Sequence, residues 1–511
     1  MRNNPMNERN LLTSHTKKVL LIFGFLFMVI TTLLIILLLD TQLISEYDKV
    51  WWNTKIILIL SGICFGSFFI TLKFLNSLTI TKLFFIFLII RVVILYFFIT
   101  FNYGVERDFV NVAPWSQNVL DGDLFTPYYP IEDWAPDSWR MVPPMFMWWY
   151  VYNYWIYGAN TVIWRVVNLL LEVGIVYVII QIFHENSSTE KGWSENNFKI
   201  GLTLYIFSVL PITAILLLAN IIAFPVLLGV LGFLFFFRSK KNPKYLYHAV
   251  FFFCLAALTE YFATIWILVI LLIELFRRNF RRVLLLTGES VAVFCVVCLP
   301  FLINDAIGFL QRIVWHFRVY SSNLDGTIWA FNYRLFGWPE SVSYIPACIA
   351  ITFSIYYIYK NYKSNISIDL FLVTICIFLF FSPFFNQYHY LWIFPLICLN
   401  IIYSIRKFLF TNLFFLGFYL FFQFWMVTAY LTYPGIIYPD IELTYGFIFN
   451  IHMMSSGYFV VFPLIGQLIF QMGFLYLIFS YTKSKKLILA LLIPFILYYI
   501  FNICAPFSFP Y

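Results

Sequence analysis

Three consecutive charged residues, Glu106, Arg107 and Asp108, stand just past an apolar run that ends near Phe101. Five more carboxylates follow, Asp121, Asp123, Glu132, Asp133 and Asp137, and only Arg107 and Arg140 offset them before Gly158. A carboxylate at a membrane surface, shielded from water by aromatic neighbours, can hold a raised pKa and take a proton from a hydroxyl as a new bond forms. Asp108 is the candidate base on this reading, with Glu106 orienting the acceptor or a metal. Asp108 follows the end of an apolar run that can hold it rigidly, whereas Asp121 and Asp123 flank Gly122, where the chain turns. Taken alone, the triplet is a solvated charge pair at a helix end; its surroundings change that balance. A second group, Arg312, His316, Arg318 and Arg334, gathers cations on a stretch otherwise poor in them. Such a group either meets lipid headgroups or compensates a phosphate, which arginine grips through two parallel hydrogen bonds.

The elements that must position these residues are apolar helices. Of 511 residues, 62% are hydrophobic and 11% charged, whereas soluble domains carry about 25% charged residues. Apolar runs long enough to cross roughly 30 Å of hydrocarbon recur along the chain, and their continuity excludes the alternating pattern of a membrane β-barrel. We count fifteen candidate spans, from Val19–Leu39 to Leu487–Cys504, with Thr161–Phe183, Ile200–Leu218, Ile222–Phe237, Leu246–Leu258, Phe262–Phe276, Val283–Ile303 and Ile366–Phe381 among them. The first follows Arg2, Arg9, Lys17 and Lys18 with no small-residue cleavage pattern behind it, and reads as a retained span. All eight cysteines lie in or beside apolar runs, so neither a disulfide framework nor a zinc site is indicated, and Cys295 and Cys298 read as packing. No nucleotide-binding glycine motif and no short repeat is present.

Charge sets the orientation. With the N-terminus inside, 23 of the 32 lysines and arginines fall on the cytoplasmic side, seven outside and two, Arg91 and Arg165, within spans. The expected organisation is residues 1–101 as N-terminal spans, 102–158 as an acidic non-cytoplasmic catalytic loop, 159–303 as membrane core, 304–343 as a second non-cytoplasmic loop and 344–511 as C-terminal spans. Arg91 and Glu172 sit at roughly 15 and 18 Å depth in spans that run antiparallel, which predicts an intramembrane ion pair. The aromatic stretch Trp148 to Trp155 reads as an interfacial belt before a sugar-stacking platform.

The sequence from Asp108 onward resembles the GT-C superfamily of membrane glycosyltransferases. Glu106 and Asp108 match its acidic pair, VLDGDLFTPYYP its LLxGxxPY-like continuation, and Val142-Pro143-Pro144-Met145 its PPL-like segment. FSPFFNQYHYLWIFPL, residues 381–396, is similar to the family's FxPQYLLWxLPL, and IVWHFRVYSSNLDGTIW to a segment with a histidine and an arginine before serines. The likeness is greatest to the polyprenol-phosphate-mannose-dependent branch related to the first mannosyltransferase of the GPI pathway, and it spans roughly Arg91 to Pro395. Two departures stand out: Thr259-Glu260-Tyr261 where relatives often carry a lysine, and Leu218-Ala219-Asn220 where a GQxD-like segment is common.

The resemblance implies an all-α polytopic membrane helix bundle with short amphipathic helices in the first large outer loop. It implies inverting transfer of a hexose, mannose first, from a polyprenyl- or dolichyl-phosphate-linked sugar to a lipid or glycan acceptor, on the non-cytoplasmic side of a plasma or endoplasmic reticulum membrane. Asp108 and Glu106 would be catalytic; Arg312, His316, Arg318, Gln387, Tyr388 and His389 would bind substrate. A divalent metal is compatible with the resemblance but not indicated by the sequence, and no nucleic acid partner is implied. The alternative is a transporter or flippase of lipid-linked sugars, which would place its working charges near mid-membrane.

Overall fold

The computed structural model describes residues 66–100, 116–122, 143–188, 193–208, 211–217, 221–319 (mainly the backbone over 310–319), 344–362, 368–381, 391–399 and 484–493, with isolated positions at 60–64 and 475–482. Helix is the regular structure throughout, and no strand occurs among the described residues. The elements used below are α1 (Ile80–Thr100), α2 (Pro144–Tyr157), α3 (Thr161–Asn186), α4 (Glu195–Ile206), a π-helical turn (Ile212–Leu217), α5 (Ala223–Ser239), α6 (Tyr245–Thr259), α7 (Thr264–Phe276), α8 (Phe280–Val319), α9 (Tyr344–Asn361), α10 (Ile368–Phe381) and α11 (Phe394–Leu399).

Local chemistry accounts for several of the boundaries. Thr79 Oγ1 accepts from the Lys82 amide at 3.2 Å to start α1, Asn160 Oδ1 accepts from Ile163 N at 3.1 Å to start α3, and Ser194 Oγ accepts from Asn197 N at 3.2 Å to start α4. Each satisfies an amide that the first turn leaves unpaired. Proline at the first position begins α2, and Gly158, at φ 60°, ends it.

Among the described residues, three helices are long and apolar enough to cross a membrane: Ile80–Thr100, Thr161–Asn186 and Phe280–Ile303. Their outward faces are apolar too. On α1, Leu83, Phe87, Arg91 and Phe98 are buried while Phe85, Ile89, Val92 and Tyr96 are exposed, so an oily row faces outward where a water-soluble helix would be polar. Helices α6, α7 and α10, at 15, 13 and 14 residues, measure only about 20 Å at 1.5 Å per residue. The sequence reads each as a separate span; each is shorter than the hydrocarbon core it would have to cross.

The core centres on α5. Phe233 meets Phe253 of α6 at 5.0 Å, Trp266 of α7 at 4.9 Å and Phe371 of α10 at 5.3 Å, and Trp266 meets Trp392 at 5.1 Å. Gly229 and Gly232 make this approach possible. A Cβ on Gly229 would lie 2.5 Å from Trp266 Cζ3, and one on Gly232 would collide with the Cδ1–Cε1 edge of the Phe253 ring. Glu185 accepts from Arg238 Nη2 at 2.6 Å, tying the C-terminal ends of α3 and α5 together. At the turn between α7 and α8, Glu274 accepts from Asn279 Nδ2 at 2.9 Å and from Arg282 Nη1 at 3.2 Å.

Two stretches differ from the sequence expectation. The apolar run Ile200–Leu218 is not one helix: α4 stops at Ile206 and the π-helical turn begins at Ile212, with Pro211 between them. Proline has no amide to continue the ladder, which accounts for the break. Conversely, α8 continues to Val319, so the first part of the second loop is helical backbone.

Candidate functional site

Arg91 on α1 and Glu172 on α3 meet in the interior of the bundle, both wholly shielded from solvent. Arg91 Nε donates to Glu172 Oε1 at 2.9 Å and to Oε2 at 3.1 Å. Its Nη1 donates at 3.0 Å to the carbonyl of Ile206, the last residue of α4. The guanidinium also lies 5.2 Å from the centroid of the Phe87 ring, one turn earlier on α1. Arg91 therefore does two jobs. It balances the one carboxylate beside it, and it satisfies a carbonyl that the end of α4 leaves without an intrahelical partner. Its Nη2 and the Tyr205 hydroxyl are buried with no hydrogen-bond partner among the described residues.

A second arginine repeats the arrangement. Arg165 on α3, 2% exposed, donates from Nε to the carbonyl of Leu216 at 3.1 Å, within the π-helical turn. Arg165, Asn168 and Glu172 are spaced three and four residues apart, so they form one row along α3, and all three are buried. The interrupted stretch from Ile206 to Leu217 is thus held at both ends by guanidiniums from neighbouring helices. A π-turn inside an apolar helix is a recurrent feature of functional sites. Two guanidiniums and one carboxylate lie here among the described residues.

The aromatic segment Met147–Trp155 is a docked helix. Trp148 Nε1 donates to the Val297 carbonyl of α8 at 3.0 Å, Trp149 stacks on Phe224 at 4.0 Å, and Tyr150 lies 4.9 Å from Trp164. Tyr152 and Trp155 point outward, at 56% and 69% exposure. Half of the stretch is packing, and the other half retains the amphipathic surface of an interfacial belt.

Arg91 and Glu172 are the two sequence-selected residues that the structure brings together. Asp108, Glu106, Gln387, Tyr388 and His389 lie outside the described residues, as do residues 320–343 with Arg334. Arg312, His316 and Arg318 fall on the backbone of α8. In a regular helix positions 312 and 316 share a face, and 318 sits about 200° around from 316. Asp121 and Gly122 form the turn expected of them, with Gly122 at φ 103° and Gln117 Nε2 donating to Asp121 Oδ1 at 2.9 Å. Cys295 and Cys298 are free thiols, one exposed and one buried. No group of three or more histidine, cysteine, aspartate or glutamate side chains fit to hold a metal occurs among the described residues.

Sequence reasoning missed the carbonyl partners of both arginines. A signal existed for Arg165, a charge inside an apolar run, but a backbone oxygen leaves no mark in a sequence.

No family model matches the chain, no curated protein matches it, and no solved structure matches it.

Proposed function

We propose that the chain is a polytopic membrane glycosyltransferase of the GT-C type. It would transfer a hexose, mannose first, from a polyprenyl-phosphate-linked sugar to a lipid or glycan acceptor on the non-cytoplasmic side. What supports the reading is the sequence position of Glu106 and Asp108, six and eight residues after Thr100 at the end of α1, a helix joined to α3 by the buried Arg91–Glu172 pair. A base must be held within hydrogen-bond reach of the acceptor hydroxyl. A helix fixed by a buried charge pair would give the chain leading to Asp108 a fixed starting point. The resemblance of residues 106–145 and 381–396 to the family supports the same assignment.

The charge distribution supports the sidedness. Arg238, Lys240, Lys241, Lys244, Arg277, Arg278, Arg281 and Arg282 border the α5–α6 and α7–α8 turns. The acidic loop joins α1 to α3 at their other ends, and cations collect on cytoplasmic faces. In the reaction, Asp108 accepts the acceptor proton while the acceptor oxygen displaces the lipid phosphate at the anomeric carbon, inverting it. Arg312 and His316, at positions that share a face of α8, would hold the phosphate, whereas a regular helix turns position 318 to the other side, away from that phosphate.

One observation favours the transporter reading: buried charges and an interrupted helix between Ile206 and Leu217 are what a lipid-linked sugar carrier would use. Purified protein in liposomes, supplied with a panel of polyprenyl-phosphate-linked sugars, separates the two. Release of polyprenyl phosphate with glycosylation of an acceptor supports transfer. Movement of intact donor across the bilayer without release overturns it.

A further inference from the structure

Helix α8 carries a carboxylic acid that nothing above uses. Glu289 lies on the stretch Phe280–Ile303, which is long and apolar enough to cross a membrane. It stands seven residues beyond Arg282, roughly 10 Å further along the helix axis. Its Oε2 is sealed from solvent and has no hydrogen-bond partner, and no ion pair includes it among the described residues. The neighbouring polar groups are committed elsewhere. Ser290 Oγ donates to the Leu286 carbonyl at 2.9 Å, Trp148 Nε1 donates to Val297, and Arg282 is held by Glu274 at 3.2 Å. On the facing helix α6 the titratable neighbour is Cys254, a buried thiol. Beside Glu289 the outward face of α8 is apolar: Leu285 and Val296 are 51% and 73% exposed, and Leu284 and Val291, at 73% and 55%, continue that face further round the helix.

An ionised carboxylate without a cation, a hydrogen bond or water is strongly disfavoured in hydrocarbon, and the group takes up a proton instead. Glu172 and Glu274 contrast with it, since both are buried against arginines. We propose that Glu289 is a membrane-embedded proton-binding carboxyl, reached from the lipid side of α8. The proposal rests on the membrane placement of α8 and is independent of the glycosyl-transfer reading. It gives the protein a site that exchanges protons within the bilayer, apart from the acidic loop.

Lipid-soluble dicyclohexylcarbodiimide tests it. The carboxyl passes its proton to a carbodiimide nitrogen and its oxygen adds to the central carbon; the O-acylisourea so formed rearranges to a stable N-acylurea, detected on the Glu289 peptide by mass spectrometry. Full-length protein in liposomes should be labelled at Glu289 and not at Glu172 or Glu274. Labelling should fall about tenfold per pH unit above the pH at which the proton is lost. A water-soluble carbodiimide should leave the residue unmodified, and Glu289→Gln, close to isosteric, should fold normally and lose the label. A lipophilic photoreagent reports separately whether Leu284 and Val296 face lipid. No carbodiimide labelling of Glu289 while that face reacts with the photoreagent overturns the proposal and leaves the membrane placement standing. Equal labelling by the water-soluble reagent overturns both.

Discussion

Arg91→Met leaves the Glu172 carboxylate buried without either of its 2.9 and 3.1 Å hydrogen bonds and leaves the Ile206 carbonyl without its 3.0 Å donor. Glu172→Gln keeps an acceptor oxygen for Nε but strands the guanidinium. Removing one member of a buried pair costs ~3–5 kcal/mol. We expect Arg91→Met near the upper end, because it loses the capping bond too, and Glu172→Gln near the lower. The double variant Arg91→Met/Glu172→Met carries no buried charge and adds no polar group at this point, and its remaining defect is the orphaned Ile206 carbonyl, ~1–3 kcal/mol. It should therefore be more stable than either single variant. The assay is the temperature at which half of each detergent-purified variant remains monodisperse, read beside membrane yield. A double variant that melts below both singles would mean the residues contribute independently, and the pair would not be what fixes α1 against α3.

The interrupted stretch makes its own demand: Arg165→Met removes the Leu216 donor, so protease sensitivity should rise within Ile212–Leu217, and an unchanged cleavage pattern would show that the arginine does not hold it. In the core, Gly232→Ala pushes a methyl into the buried Phe253 ring; it should lower the melting temperature by an overpacking cost of ~1–3 kcal/mol. By contrast Gly288→Ala, with nothing within 4 Å of the new atom, should be neutral or stabilising by ~0.5–1 kcal/mol, as alanine for glycine is inside a helix. Sidedness is checked with single cysteines in a cysteine-free background. Ser116 is buried, so the exposed neighbour Asn118→Cys is the better probe. It should react with an impermeant maleimide from the side opposite to Lys241→Cys, and labelling of both from one side would overturn the orientation.

Much of the helical architecture was legible because hydropathy alone specifies it. The runs Thr161–Phe183 and Ile222–Phe237 correspond within a few residues to α3 and α5. The ion pair was legible for the same reason: a charge inside an apolar run needs a partner, and depth counting left Glu172 opposite Arg91. The break after Ile206 was not, since Ile200–Leu218 is apolar on both sides of Pro211 and a hydropathy average passes over one missing amide. Helix α2 was hidden in what reads as a loop, although Pro143-Pro144 before an aromatic run is a helix start. On α8 hydropathy placed the end of the apolar span at Ile303, where it lies, but not the end of the helix. Hydropathy falls at Asn304 and Asp305, yet the backbone ladder continues through polar residues to Val319. The catalytic assignment rests on sequence, because Glu106 and Asp108 lie outside the described residues.

The central claim, that Asp108 serves as the base for sugar transfer, is tested most directly by turnover of Asp108→Asn on a polyprenyl-phosphate-linked sugar. Asparagine keeps the size and hydrogen bonding of the side chain and removes the basic oxygen. A positioned base contributes typically about 10² to 10⁴-fold, so the variant should bind donor and melt like the parent while its rate of polyprenyl phosphate release falls by that factor. Unimpaired release by a well-folded Asp108→Asn protein would contradict the account.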